Sequence, residues 1–210
     1  MGLDSYFNSY IITIMKPTGI LSKTYNIRPS KGEIIEGSDI KLNLGSGAKN
    51  YEGFLNLDKI DLPNVHIIWD LEKTPLPFGS DSVSEIIIEH VLEHITNMIP
   101  LLEEFHRICK PGSIIRIYVP YYRYEGAFRD PTHVRFFSEN TFEYFTDGYT
   151  YDFYSKARFK VRKRELKTTS KTKLRTLNKK IINYIPLKKF LNIFLWNLYT
   201  EIYFELEVVK

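Results

Sequence analysis

The segment KLNLGSGAKNYEGFLNLD, residues 41–58, predicts the fold of this chain. Apolar side chains alternate over residues 40–44, which is typical of a β-strand. Gly45 and Gly47 then flank a serine, and glycines let the backbone turn sharply and approach a ligand with no Cβ in the way. A second apolar run ends in Asp58, and an acid at the tip of the strand after a glycine turn can accept both hydroxyls of a ribose. The segment therefore predicts a nucleotide-like cofactor site.

The link between these two strands is unusually short. Only residues 48–53 separate the glycine turn from the second apolar run, whereas a parallel crossover usually takes a dozen or more residues. We therefore expect the first crossover helix to be lost or reduced to a turn. Asp58 also lies closer to the glycines than the roughly 20 residues of the nicotinamide fingerprint, which argues against a nicotinamide-dependent enzyme.

The rest of the chain alternates between patterns of strands and patterns of helices. One helix is expected to follow Asn97 as its N-cap and to end at Pro111-Gly112, and another is expected over residues 138–145. Residues 174–198 also have a helical pattern, interrupted by a proline. Strands are expected over residues 65–69, 83–88, 114–119, 159–166 and 200–209. The order predicts an α/β domain.

Three segments together resemble the class I S-adenosylmethionine-dependent methyltransferases, and in particular the small type 11 members. They are residues 41–58, IIWDLEKTPLPFGSDSVSEIIIEHVLEHI (67–95) and HRICKPGSIIRIYVPYY (106–122). The resemblance spans about residues 38–147. It implies a Rossmann-like sheet that is mostly parallel with an antiparallel last strand, a shortened first crossover helix and a helical insertion before the last strand. Residues 1–37 are then a leader packed on the domain, and 38–210 form the domain, with the basic helical insertion at about 170–198.

The resemblance also implies which residues bind S-adenosylmethionine. The glycine turn would face the methionine part of the cofactor, the acid after the second strand would hold the ribose, and the residues after the third strand would line the adenine. The cofactor-binding set implied in this way is Gly45, Ser46, Gly47, Asp58, Asp70, Leu71, Glu89 and His90.

The sequence EHVLEH, residues 89–94, follows the predicted fourth strand, where open α/β sheets bind ligands. It contains H-x-x-E-H, the pattern of one class of zinc proteases, but that motif belongs on one long helix and here straddles a strand end. Glu93-His94 also resembles the E-x-x-E-H metal site of small-RNA 2′-O-methyltransferases and ubiquinone-pathway O-methyltransferases, with His90 in place of the first glutamate. The alternative is that Glu93 and His94 only orient loops by hydrogen bonding, and we assign no metal ligand from the sequence.

A second polar cluster follows the predicted fifth strand, at the same edge of the sheet. It combines acid, imidazole and guanidinium groups with aromatic residues, which suits an acceptor pocket with a base, an anion clamp and an apolar wall. Similar D-P-T-H segments occur here in type 11 relatives. We predict His133, Asp130 and His90 as catalytic residues and Tyr121, Tyr122 and Arg135 as substrate-binding residues. The alternative is a polar network that only fixes a loop.

The sequence favours an oxygen atom of a small-molecule or glycan-linked acceptor as the methyl acceptor. Base N-methylation of DNA would require D/N-P-P-Y after the fourth strand, and this chain has Glu89-His90-Val91-Leu92 there. Methylation at C5 of pyrimidines would require a nucleophilic cysteine, whereas Cys109 lies at the end of a helix away from the predicted pocket. Because methyl transfer mainly requires an acceptor held in line with the activated methyl, a histidine near neutral pKa would suffice as base.

Charge is segregated along the chain. Residues 156–189 contain 14 Lys and Arg against a single acid, Glu165, while the whole chain carries only +4. A basic segment beside aromatic and aliphatic bulk suggests an anionic partner, and we favour peripheral membrane contact over nucleic acid; the alternative is a solvated face. A second reading of the whole chain is a non-catalytic cofactor-fold module that docks on nucleic acid or an anionic membrane through this segment. One cysteine and no signal-peptide pattern predict a cytoplasmic protein.

Overall fold

The computed structural model describes residues 11–13, 28–29, 33–168 and 188–210. Nine strands are present in these residues. They are β1 (Ile11–Thr13), β2 (Ile34–Glu36), β3 (Ile40–Leu44), β4 (Leu55–Asp58), β5 (Ile67–Ile68), β6 (Val83–Glu89), β7 (Cys109–Pro120), β8 (Arg158–Lys167) and β9 (Glu201–Val209). The helices are α1 (Met98–Ile108), α2 (Gly126–Arg129) and α3 (Lys188–Phe194), with short 3₁₀ helices at Leu92–His94, Thr141–Phe145 and Asp152–Tyr154.

Seven strands form one sheet in the order β5-β4-β3-β6-β7-β9-β8. The pairs from β5 to β7 are parallel, whereas β9 is antiparallel to both β7 and β8. The predicted mostly parallel sheet with an antiparallel last strand is therefore confirmed. The strand order reverses beside β3, and ligands of open α/β sheets bind at the carboxyl ends of the strands at such a point. We call this side of the sheet, where β3, β4, β6 and β7 end, the carboxyl edge.

Central strands are apolar because helices and loops cover both of their faces. Leu42, Leu44, Ile86, Ile88 and Ile117 are all fully buried. On α1 the buried side chains are Leu101, Leu102, Phe105 and Ile108, which lie on one face as the sequence predicted. Asn97 occupies the N-cap of α1 but makes no side-chain capping bond; instead the Glu72 carboxylate accepts the backbone N–H groups of Thr96 and Asn97.

The crossover from β3 to β4 contains turns and no helix, as the short link predicted. Buried asparagines hold it in place. Asn56 accepts a hydrogen bond from Asn43 (3.0 Å) and donates to the Asn50 side chain (3.0 Å) and the Asn64 carbonyl (2.8 Å). The Asn64 side chain in turn donates to the carbonyls of Gly47 and Lys49. Side-chain amides thus satisfy backbone groups that a crossover helix would have paired internally.

Several element boundaries differ from the sequence-based expectations. The fifth predicted strand begins at Cys109, so that Pro111-Gly112 lies within β7 and not between helix and strand. The third strand is reduced to Ile67–Ile68, and the helix expected over residues 138–145 is a 3₁₀ helix over Thr141–Phe145. Aromatic packing decides the last case, because Phe142 and Phe145 are buried against the sheet within a short segment.

The leader and the insertion are described only in part. In the leader, β1 pairs with β2, and the Ile35 N–H donates to the Pro77 carbonyl (2.8 Å), which joins β2 to the domain. In the insertion, α3 is the described helix between β8 and β9; the expectations for residues 169–187 lie outside the described residues. Among the residues that the structure describes, no helix is long and apolar enough to span a bilayer. The cytoplasmic location stays a prediction.

Candidate active site

The glycine turn follows β3 at the carboxyl edge. Gly45 and Gly47 have positive φ of 61° and 51°, a conformation that L side chains rarely adopt. A Cβ on Gly45 would lie 2.2 Å from a methyl group of Val91, so this position also has no room for a side chain. Ser46 between them is buried, and its backbone N–H donates to the Leu57 carbonyl (3.1 Å). The turn is therefore rigidly fixed against β4.

Asp58, at the end of β4, faces the glycine turn. One carboxylate oxygen accepts the Gly47 N–H (2.8 Å), and the other accepts the Ile60 N–H (2.9 Å). A carboxylate oxygen has more than one acceptor site, so each oxygen still has room for a ligand hydroxyl. The sequence-predicted pair of glycine turn and acid is thus brought together in space.

Asp70 and Leu71 follow β5, further along the same edge. Leu71 is buried, and Asp70 accepts the Glu72 N–H (3.1 Å) in a turn. Asp70 also borders a cavity of about 830 Å³, whose other walls include Ile34, Trp69 and Pro75. The glycine turn does not line this cavity. Asp70 and Leu71 therefore follow a strand that lies two places from β3 in the sheet.

Glu89 ends β6 next to the glycine turn. Lys49 forms an ion pair with its carboxylate, and the Tyr51 hydroxyl donates to it (2.6 Å). Partial burial alone would raise the pKa of Glu89, but the hydrogen bonds from Lys49 and Tyr51 outweigh it and hold the pKa below its ordinary value. Glu89 is therefore an ionised group at the centre of the carboxyl edge.

His90 lies between two carboxylates. Its Nε2 is 2.9 Å from Glu201, and its Nδ1 is 3.2 Å from Glu93. Hydrogen bonds to Glu201 and then to Glu93 raise the pKa of His90 to about 9, so the imidazolium is the main form at neutral pH. His90 also has a positive φ of 54°, which places a charged ring at a strained backbone position.

The two polar clusters found in the sequence are joined directly. Glu93 lies in the 3₁₀ helix after β6, and its backbone carbonyl accepts the N–H groups of Val134 (2.8 Å) and Arg135 (3.1 Å). Arg135 also donates through its guanidinium to the carbonyls of Ile95 and Thr96. The rings of His94 and His133 meet edge to face, with centroids 4.8 Å apart. The segments after β6 and β7 thus form one surface at the carboxyl edge.

Asp130 and Thr132 organise this surface. The Thr132 N–H and hydroxyl both donate to one Asp130 oxygen, at 2.9 and 2.6 Å, and these two bonds lower the pKa of Asp130. His133 Nδ1 is 2.8 Å from the Ala127 carbonyl, and its Nε2 is 3.9 Å from Asp130. The His133 Nδ1–H must be the donor in the first contact, which leaves the lone pair on Nε2.

The two tyrosines that follow β7 differ in burial and in their hydrogen-bond partners. Tyr121 is buried, and its hydroxyl accepts a hydrogen bond from Asn192 of α3 (2.8 Å), so it holds α3 to the domain. Tyr122 is partly exposed, and its hydroxyl accepts a hydrogen bond from Arg123 (2.9 Å). The contact of either tyrosine with an acceptor stays a prediction.

Comparison with known proteins agrees with this geometry. Residues 48–117 match the family model described as "Methyltransferase domain". The match covers one third of the chain, and the seven-stranded sheet has the Rossmann-like fold of class I methyltransferases. The matched residues include Asp58, Asp70 and the segment 89–94. A methyltransferase domain of this class takes its methyl group from S-adenosylmethionine, which is the cofactor expected from the sequence.

Solved structures share the methyltransferase fold at low sequence identity. The complex of the Haloferax volcanii Trm112 methyltransferase activator with a methyltransferase contains a similar chain (15% identity, TM-score 0.53, covering 83% of this chain and 84% of that one). An S-adenosylmethionine-dependent methyltransferase from Archaeoglobus fulgidus is 16% identical (TM-score 0.53, 81% and 86%). The [4+2]-cyclase SpnF is 11% identical (TM-score 0.52, 83% and 76%). No curated protein matches the sequence significantly. Since neighbours of this fold include a cyclase, the likeness shows the fold alone.

Several residues of the candidate site were not predicted from the sequence. Lys49 and Tyr51 lie in the shortened crossover and reach Glu89, and Glu201 lies at the start of the last strand and reaches His90. Glu201 pairs with Pro120 in the antiparallel register of β7 and β9, which brings it to the carboxyl edge. The sequence does show an acid at the start of the last strand. Only the strand register, however, reveals that this acid lies beside His90.

Proposed function

We propose that this methyltransferase moves the methyl group of S-adenosylmethionine to an oxygen of a small-molecule or glycan-linked acceptor. The observation that supports it is the shared carboxyl edge, where the glycine turn and Asp58 lie on one side and the joined segments around Glu93 and His133 lie on the other. An acceptor on the second side would face a methyl group presented from the first. Alignment of this kind is most of what methyl transfer requires.

The proposed cofactor side consists of the glycine turn, Asp58, Glu89 and His90, with Asp70 and Leu71 further along the edge. Asp58 would accept the ribose hydroxyls in addition to its two backbone bonds. Glu89, ionised and paired with Lys49, would accept the cofactor's ammonium group in exchange for the lysine. His90 would contribute a positive charge at neutral pH, since its pKa of about 9 leaves little neutral imidazole to act as a base.

The proposed acceptor side consists of His133, Asp130, Arg135 and Tyr122. The His133 Nε2 lone pair is suited to receive the proton of an acceptor hydroxyl, with Asp130 3.9 Å away to stabilise the imidazolium that results. Arg135 would then serve as the cation for an anionic part of the acceptor. The structural alternative, in which these residues only fix the loop, predicts no specific effect on turnover.

An acceptor screen with matched variants tests this proposal. Each pool of small hydroxylated and glycan-linked compounds is incubated with S-adenosylmethionine, and products are read by mass spectrometry as a gain of one methyl group. His133→Ala should lower turnover at least tenfold, while its affinity for S-adenosylmethionine should stay within twofold of the wild type. The control is His106→Ala, which removes a ring bonded to the Val209 carbonyl on the far side of the sheet. This variant should change neither turnover nor cofactor affinity. Equal loss of turnover and cofactor affinity in His133→Ala would mean that the segment is a structural brace.

We also propose peripheral contact with an anionic membrane, supported by an exposed aromatic patch. Phe128 and Phe136 stack at 4.4 Å, Trp196 lies 6.3 Å from Phe128, and all three are about half exposed. Arg123 donates to the carbonyls of Asn192 and Ile193, which fixes the end of α3 beside this patch. In the sequence, Trp196 follows the basic segment of residues 156–189. Aromatic bulk beside basic charge is the composition of an interfacial surface, and each basic residue near an anionic membrane adds about 1 kcal/mol.

Vesicle flotation at low salt tests the membrane contact. The wild type should float with vesicles that contain phosphatidylserine and should not float with neutral ones. Trp196→Ser should reduce the floated fraction. Phe153→Ser should not, because Phe153 lies near the start of β8, at the opposite edge of the sheet; it is a matched control because it is at least as exposed as Trp196 (69% against 57%). Failure of the wild type to float, or equal loss in the two variants, would overturn this proposal.

A further inference from the structure

Glu93, His94 and His133 form a cluster of potential metal ligands at the carboxyl edge. Each offers one ligand atom such that the three atoms all lie within 4.8 Å of one another. Two come from the 3₁₀ helix after β6 and one from the segment after β7, and the Glu93 carbonyl bonds to Val134 and Arg135 hold the two segments together. The cluster is therefore built on fixed backbone and is not a chance approach of flexible side chains.

The Glu93 carboxylate is the observation that points to a ligand. Glu93 is 1% exposed, and its Oε2 is buried with no hydrogen-bond partner among the described residues. Its other oxygen is 3.2 Å from His90 Nδ1. Leaving a buried carboxylate oxygen unpaired is costly, and a bound cation on Oε2 would remove that cost while His90 kept its bond to Oε1.

The hydrogen bonds of the two histidines leave a lone pair on each ring. His133 donates from Nδ1 to the Ala127 carbonyl (2.8 Å). The Thr132 hydroxyl donates to Asp130 (2.6 Å), so its oxygen accepts from His94 Nδ1 (2.9 Å). In the neutral tautomer that these bonds select, Nε2 of each ring carries the lone pair. Metal-binding histidines typically have this arrangement, in which the second nitrogen donates to a carbonyl or to a carboxylate-linked group.

We propose that Glu93, His94 and His133 bind one divalent transition-metal ion. Two imidazoles and one carboxylate suit ions such as Zn²⁺, Mn²⁺ or Co²⁺, whereas Mg²⁺ prefers oxygen ligands. Bond lengths near about 2.1 Å require ligand atoms to lie closer together than 4.8 Å, so small side-chain rotations would accompany binding. His90 is not part of this set, because Glu201 and Glu93 occupy both of its nitrogens.

At this place the ion would bind and acidify the acceptor oxygen, an inference that rests on the proposed function. With the ion bound, His133 would be a metal ligand, and the ion would replace it as the group that promotes loss of the acceptor proton. A metal-bound hydroxyl loses its proton far more readily than a free one, and the proton would pass to solvent. The resulting oxyanion would attack the methyl carbon, an O–C bond would form, and the S–C bond would break with its electron pair on sulfur, giving a neutral thioether. With three protein ligands, open positions would remain for one or two acceptor oxygens, so acceptors with adjacent hydroxyl groups would fit best.

Metal titration of the full chain tests the site without any acceptor. Protein stripped with a chelator and dialysed is titrated with ZnCl₂, MnCl₂ and CoCl₂ by calorimetry, and Co²⁺ binding is also followed by its visible absorption, which reports nitrogen ligands. We expect one ion per chain. His94→Ala and His133→Ala should each weaken binding at least tenfold, and Glu93→Gln, which keeps the side-chain shape, should do the same. His106→Ala should have no effect.

Circular dichroism and an S-adenosylmethionine titration on the same variants separate misfolding from loss of the metal. A Glu93→Gln variant that is folded, binds the cofactor normally and has lost the ion supports the site. No saturable binding by the wild type below about 1 mM, or equal weakening in His106→Ala, would overturn it. Cofactor binding without metal binding would leave the methyltransferase proposal standing and remove only the metal.

Discussion

Gly45 is the residue whose substitution the structure most clearly forbids. Its φ is 61°, and a Cβ would lie 2.2 Å from the stiff, β-branched side chain of Val91. Gly148 has a similar φ of 78° but open space around it, so it is a matched control. Gly148→Ala should lower the free energy of unfolding by about 1–2 kcal/mol through backbone conformation alone. Gly45→Ala should lower it by about 2–5 kcal/mol, because overpacking against Val91 adds to the backbone effect.

Urea unfolding of the two variants measures this difference. A second test is rescue, since Val91→Ala in the Gly45→Ala background removes the contacting methyl groups and should recover part of the lost free energy. Equal destabilisation by Gly45→Ala and Gly148→Ala would contradict the close contact between the glycine turn and the segment after β6.

His90 should make stability depend on pH in the alkaline range. Its pKa rises from 6.5 to about 9 on folding, through Glu201 first and then Glu93. Because the folded pKa is the higher one, the contribution to stability is fully present below about pH 6.5 and is lost as the pH rises through about 9. The free energy of unfolding of wild type minus that of His90→Asn should therefore be larger at pH 6 than at pH 10. Asparagine is the replacement of choice because it tolerates the positive φ of this position.

Glu201→Gln provides the companion measurement, because it removes the first cause of the shift. In the Glu201→Gln background, the change in unfolding free energy caused by His90→Asn should vary less between pH 6 and pH 10 than it does in the wild-type background. If the difference between wild type and His90→Asn stays constant from pH 6 to pH 10, the His90 pKa is not raised.

At the scale of elements, the asparagine-held crossover between β3 and β4 distinguishes this sheet. Asn56 is fully buried and makes three side-chain hydrogen bonds. Asn56→Ala should cost about 2–4 kcal/mol, since each bond is worth about 1 kcal/mol and its buried partners lose theirs. Asn140→Ala, which removes one exposed bond to Arg164, should cost less than about 0.5 kcal/mol. Denaturant titration of both variants measures these changes in the free energy of unfolding. Cofactor titration of the same variants would show whether the crossover also shapes the glycine turn. A decrease in unfolding free energy of under about 0.5 kcal/mol in Asn56→Ala would contradict the anchoring role of Asn56.

Sequence patterns predicted the elements better than their contacts. Alternating apolar residues predicted β3, the short link predicted the missing crossover helix, and the second apolar run predicted Asp58 at the end of β4, since all of these depend on neighbours in sequence. Glu201 with His90, and Glu93 with the segment after β7, are separated by tens of residues along the chain. Such contacts depend on sheet register and loop closure, which local patterns do not encode. The proline and glycine at 111–112 were misleading because the pairing of β7 with β6 is irregular there, with a register shift between the Cys109 and Ile114 pairs, and such irregular positions tolerate both residues.

At the scale of the whole molecule, the proposed cofactor, acceptor and metal sites lie along one edge of a seven-stranded sheet. The glycine turn, His90 and the Glu93–His133 surface follow three adjacent strands, β3, β6 and β7. The far edge, where β9 ends, carries none of the proposed site residues. Variants at the far edge, such as those at His106 and Phe153, are therefore controls with a structural basis for every proposal made above.

Titration of the full chain with S-adenosylmethionine, compared between wild type and Asp58→Ala, tests the central claim most directly. Asp147→Ala, which removes a highly exposed acid paired with Arg158, is the control. Hydrogen bonds to a charged group are worth about 1.5–3 kcal/mol each, so Asp58→Ala should bind at least tenfold more weakly, while Asp147→Ala should match the wild type. Saturable binding of one cofactor per chain with that loss supports a cofactor site between the glycine turn and β4. Equal affinity of the wild type and Asp58→Ala, or no binding by the wild type, would contradict it.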